Sequence, residues 1–228
     1  MLADILSQSK RRKPKMHFEP SSGNFYLNNR MLDLTSMQWN LVSDIPQNLI
    51  TLTTSEAIRK LQSSINKIKI PIGVIGTNSP DSEQYRIANE LGKTLASLGL
   101  TVLCGGRAGI MEAVCRGVHD KGGTSIGLLP ENNLSNANKF VTIPLATGIG
   151  FARNSIIALA SLCLVAIGGG YGTLSEIASG MQFGKNVLII NCTLKVEKTI
   201  TCNNVQEIID NIYKIIFNID HKDNLPIT

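Results

Sequence analysis

The chain has 228 residues, 43% of them hydrophobic, which is enough to bury a sizeable core as one large domain or as a domain with an appendage. Its net charge is +5, but Lys10, Arg11, Arg12, Lys13 and Lys15 against Asp4 put +4 of that in residues 1–16. Only +1 is left for the rest, which argues against a folded face that binds nucleic acid.

Residues 1–16 read as a basic flexible tail, without the interleaved aromatics or amphipathic pattern that nucleic-acid or membrane contact asks for. The Lys and Arg cluster follows only a short mixed segment, so no secretory leader is expected. Cys104, Cys115, Cys163, Cys192 and Cys202 are odd in number and lack a Cys-x-x-Cys pair or a histidine at ligand spacing. They read as reduced, mostly buried thiols of a cytoplasmic protein with no metal site. The most apolar run, Ile156 to Ile167, falls short of the roughly 20 residues that cross a bilayer, so no membrane span is expected.

Residues 17–69 form a small N-terminal appendage in this reading. Alternating apolar and polar positions on either side of Ser21 to Asn24 predict a hairpin, and Thr53 with Glu56 has the spacing of a capping box ahead of a short helix. From residue 70 to 228 short apolar runs alternate with amphipathic helical patterns. That grammar predicts an α/β fold, a Rossmann-like doubly wound parallel sheet with helices on both faces. Strands are expected at Ile70–Ile75, Leu100–Cys104, Ser125–Leu129, Leu162–Ile167 and Asn186–Asn191, with an edge piece at Phe140–Ile143. Helices are expected after Asp81, from Ile110, over Phe151–Ala160, from Thr173, and from Val205 with Asn203 or Asn204 as its cap.

Right-handed crossovers place the first and fourth strands side by side, and open parallel sheets bind ligands where the winding reverses. Three loops converge there. The first carries Thr77, Asn78 and Ser79, the second Gly105 and Gly106, and the third Gly168, Gly169, Gly170, Gly172 and Thr173 at the start of a helix. A glycine turn that exposes helix N-terminal amides attracts an anion, typically a phosphate. Glu176 falls about one turn into that helix as a candidate catalytic carboxylate, or simply as an acid complementing the helix dipole. Arg153 opens the preceding helix in a nearly uncharged stretch, suited to grip a phosphate or carboxylate, with a surface ion pair as the alternative. Asn154 either positions Arg153 or the ligand, or caps locally. Glu112 reads as solvated unless it faces the crevice, His119 and Lys185 as helix-end charges, and Met111 as packing.

Gly169-Gly170-Tyr171-Gly172-Thr173 with Glu176 and Arg153 resembles the Pro-Gly-Gly-x-Gly-Thr-x-x-Glu signature of the LONELY GUY (LOG) proteins. Gly105-Gly106, Gly109-Ile110-Met111, Val118-His119-Asp120 and Gly127-Leu128-Leu129-Pro130 extend the likeness over roughly residues 70–192. Gly168 stands where the signature has proline, and Asn154 where a lysine usually follows the arginine. With those two departures the chain looks more like the branch of the LOG/SLOG superfamily that contains molybdenum cofactor carrier proteins. The resemblance implies a carrier binding a phosphorylated nucleotide-like or pterin ligand, the molybdenum cofactor among them, with no cofactor of its own required. Its alternative implication is a phosphoribohydrolase that cleaves the N-glycosidic bond of nucleoside 5′-monophosphates, with Glu176 and Arg153 as catalytic residues. Either way it implies a homodimer.

Overall fold

The computed structural model of the protein describes residues 15–220, so the basic tail expected over 1–16 lies outside the described residues as far as position 14. Five short strands come first: β1 (Met16–Phe18), β2 (Phe25–Leu27), β3 (Arg30–Asp33), β4 (Gln38–Leu41) and β5 (Ile50–Leu52). They form one antiparallel sheet in the order β4-β3-β2-β1-β5. The expected hairpin is its β1–β2 corner, where Phe18 pairs with Phe25. Helix α1 (Thr54–Gln62) follows, and its capping box is complete: the Glu56 N–H donates to Thr53 Oγ1 and the Thr53 N–H to the Glu56 carboxylate.

The larger layer is built from β6 (Ile72–Gly76), α2 (Ser82–Ser97), β7 (Val102–Cys104), α3 (Ile110–Asp120), β8 (Ser125–Leu129) and β9 (Ile143–Ala146). It continues with α4 (Arg153–Ala160), β10 (Leu164–Ile167), α5 (Tyr171–Gln182), β11 (Val187–Ile190), β12 (Ile200–Thr201) and α6 (Val205–Ile216). A single 3₁₀ turn, Gly150–Ala152, leads into α4, where the sequence predicts one continuous helix. All neighbours in the seven-stranded sheet are parallel, in the order β12-β11-β10-β6-β7-β8-β9. The chain winds outward from β6 to β9, then returns to lay β10 on the other side of β6, which is the adjacency expected for the first and fourth strands. This is a Rossmann-like α/β fold with a small antiparallel sheet at its N-terminal side. The edge strand runs over Ile143–Ala146, later than expected, because it pairs with β8 along Ile126–Leu129.

Helices α2, α3 and α6 bury one face of the parallel sheet, and α4 and α5 the other through Ile157, Ala158 and Ile177. The antiparallel sheet joins the first of these cores. The Phe25 ring lies 5.4 Å from that of Phe217, and Trp39 donates from Nε1 to the Phe217 carbonyl at 2.7 Å. Helices α2 and α3 meet backbone to backbone. A Cβ on Gly92 would stand 2.2 Å from the Val114 carbonyl oxygen, and one on Gly117 2.1 Å from that of Asn89.

Candidate functional site

The C-terminal ends of β6, β7 and β10 deliver three loops to one place, since these strands are neighbours in the sheet. The first two loops touch, with the Ile110 N–H donating to the Thr77 carbonyl at 3.0 Å. Helix α5 begins at Tyr171 after Gly170, which has no side chain to cap it, and its first turn holds no acid. The leading amides of α5 therefore lack the usual side-chain partner.

Arg153, at the start of α4, is 6% exposed, and Glu176, on the second turn of α5, is equally buried. The two helices run side by side and set Arg153 Nη1 3.1 Å from Glu176 Oε1. Room for the guanidinium comes from Gly105, where a Cβ would stand 2.5 Å from Arg153 Nη2 and 2.6 Å from Met111 Sδ. Arg153 Nε is buried without a hydrogen-bond partner among the described residues. The Asn154 amide is fixed by its neighbours. Its Nδ2 donates to Ser175 Oγ at 3.0 Å, and that hydroxyl in turn donates to the Gly172 carbonyl at 2.7 Å, so Asn154 Oδ1 is left as a buried acceptor with no donor.

Burial decides the electrostatics of the pair. It pushes the Glu176 carboxyl up to about 7, with Arg153 pulling the other way, and it lowers the Arg153 guanidinium from its usual range. The nearby positive charge of Arg107 lowers Arg153 further. Two guanidiniums thus repel one another across a single crevice, an arrangement that an anion relieves.

The crevice encloses about 60 Å³. Of the residues singled out from the sequence, Asn78, Gly105, Arg153, Asn154, Gly172, Thr173 and Glu176 line it. Gly106 does not, because it packs its Cα on Gly127 and gives its carbonyl to Asn138. Thr77 and Ser79 shape their own turn, with the Ser79 N–H donating to Thr77 Oγ1. Gly168, at φ 62°, sends its N–H to the Ile190 carbonyl, and Gly169 lies against Leu194. Gly170 is exposed at the N-terminus of α5, outside the lining. The role of these three glycines is to turn the chain from β10 into α5.

The lining also includes Arg107, Phe151, Gly76 and Met111. Arg107 sits inside the Gly105–Gly109 loop, so its place in a loop at the winding reversal is the signal that points to it. Phe151 carries no such signal, since its apolar character merges with the helix pattern after it. Glu112 is outside the lining, and His119 is exposed with its ring 5.8 Å from that of Phe140. The described residues include no helix long and apolar enough to cross a membrane, and no group of three or more His, Cys, Asp or Glu placed to hold a metal ion.

The chain is similar to known proteins in sequence and in fold. An uncharacterized protein of Archaeoglobus fulgidus is 42% identical over 126 residues, covering 55% of this chain and 83% of its own. A probable cytokinin riboside 5′-monophosphate phosphoribohydrolase of Oryza sativa subsp. japonica is 31% identical over 106 residues, covering 45% of this chain and 43% of its own, so the chain spans under half of that relative. Among solved structures, the Moco carrier protein of Chlamydomonas reinhardtii superposes with a TM-score of 0.60 at 34% identity, over 67% of this chain and 100% of that one. The profile of the SLOG cluster4 family matches residues 69–216, more than half of the chain and all of the parallel sheet. The chain belongs to the SLOG cluster4 family, within the LOG superfamily.

Proposed function

We propose that the protein binds a phosphorylated nucleotide-like or pterin ligand, with its anion in the crevice between α4, α5 and the Gly105–Gly109 loop. The observation that carries this reading is the pair of arginines on one small crevice. Arg153 is buried with Nε unpartnered, Arg107 is close enough to disfavour its charge, and both stand with Gly172 and Thr173 of the uncapped α5 N-terminus. A dianion there gains two charge-assisted contacts and helix amides in a water-poor setting. The molybdenum cofactor is one ligand of this chemistry, and the likeness to the Chlamydomonas carrier supports it. No further cofactor is needed for binding.

One observation favours turnover. A carboxyl held near 7 beside the anion site is matched to proton transfer at neutral pH, which suits a hydrolase that releases the base from a nucleoside 5′-monophosphate. In that case Arg153 anchors the phosphate, and Glu176 stabilises the ribosyl cation or takes the proton of the attacking water. We read the protein as cytoplasmic, supported by five free thiols. We also read it as a homodimer, supported by the exposed Ile156, Leu159 and Leu174 on the neighbouring helices α4 and α5.

A single panel tests binding and turnover together. Inorganic phosphate and nucleoside 5′-monophosphates are expected to raise the melting temperature of the wild type, and Arg153→Ala is expected to lose that shift; an equal shift in the variant overturns the site. Free base above the level of a Glu176→Ala control assigns the hydrolase, and none assigns the carrier.

A further inference from the structure

The crevice is far smaller than the roughly 300–1,000 Å³ of sites that engulf a whole small molecule. On the reading above it takes an anionic group, and a volume of this size leaves the rest of such a ligand to the residues at its edge. Phe151 is the largest exposed side chain in the lining. It sits on the 3₁₀ turn two residues before Arg153, lines the crevice, and is 75% exposed. Arg107 lines the same crevice from the Gly105–Gly109 loop with 35% of its side chain exposed, held loosely by Glu131 at 3.7 Å.

The exposed phenyl ring of Phe151 puts a flat apolar face at the edge of a polar crevice. Aromatic rings and guanidinium planes both stack on planar heterocycles through a π-face, which a ribose phosphate lacks. Ile156 and Leu159 are exposed as well but do not line the crevice. We infer that Phe151, with Arg107 beside it, is the specificity-determining platform on which a planar heterocycle stacks while its attached anion occupies the crevice. This rests on the anion reading above and goes beyond it by naming the residue that separates heterocyclic phosphates from simple sugar phosphates.

The test is calorimetric titration of the full chain with AMP, ribose 5-phosphate and inorganic phosphate at one salt concentration, for wild type, Phe151→Ala and Phe151→Trp. Each protein is also run in sedimentation velocity. Wild type is expected to bind AMP about tenfold or more tighter than ribose 5-phosphate. Phe151→Ala is expected to erase that preference, the ratio of AMP to ribose 5-phosphate affinity falling to about one, and Phe151→Trp to restore it. Binding of all three probes with no preference for AMP in the wild type overturns the platform and leaves the anion site standing; binding of none overturns both. A preference that survives Phe151→Ala also overturns it. If that variant instead dissociates a dimer with the preference intact, the ring belongs to a contact between copies of the chain.

Discussion

Glu176 faces a guanidinium and is nevertheless pushed up to about 7, because taking its carboxylate out of water costs more than Arg153 returns. Its ordinary value is near 4.5, so between those two values the folded chain keeps a proton that the unfolded chain has released. The resulting stability is fully present below about pH 4.5 and is lost as pH rises through 7, on the order of 3 kcal/mol in all. Glu176→Gln carries no such proton. The difference in urea-unfolding free energy between wild type and Glu176→Gln is therefore expected to move against the wild type by that amount from pH 4.5 to 8; a flat difference would show that Arg153 compensates the charge fully. Arg153 and Glu176 are legible in the sequence because one stands in an uncharged stretch and the other at fixed spacing from a glycine turn. Phe151 is not, because nothing in an apolar residue's neighbours along the chain states whether the fold buries it.

At the scale of elements, the readable features are those set by local pattern. Continuous apolar runs announce β6, β8, β10 and β11, and the spacing of Thr53 with Glu56 and the position of Asn204 mark where α1 and α6 begin. The antiparallel sheet is largely silent beyond one hairpin, since strands of three or four residues such as Gln38–Leu41 are too short to display alternation. Equally hidden is why α2 and α3 each carry a glycine in mid-helix, a choice that costs about 1 kcal/mol against alanine when nothing else intervenes. The crossing explains it. A methyl at position 117 meets the Asn89 carbonyl oxygen and the Lys93 nitrogen, backbone atoms that have no rotamer to move aside. Gly117→Ala is expected to destabilise by about 1–3 kcal/mol or more despite alanine's better helix propensity, read as a lower denaturation midpoint. A gain in stability would mean that the helices separate freely.

Over the whole molecule, the antiparallel sheet of residues 16–52 and the parallel sheet share a core. Met16, Phe18, Phe25 and Trp39 cluster with Ile208, Ile212 and Phe217, so the two ends of the described chain are packed together. We read residues 17–69 as an appendage that depends on the larger layer and does not fold by itself. The protein has one tryptophan, which makes this measurable. Trp39 fluorescence reports the small sheet and far-UV circular dichroism mainly the α/β layer. Their urea transitions are expected to coincide, and two separate midpoints would make the small sheet an independent unit.

The pairing of β6 with β10 has a further consequence during synthesis. Ile72–Gly76 leave the ribosome long before Leu164–Ile167, so the growing polypeptide must tolerate an open, apolar strand margin while everything between them is being translated. Such a margin invites pairing with another nascent chain, and the interval when it lies bare is the stage at which chaperone protection matters most.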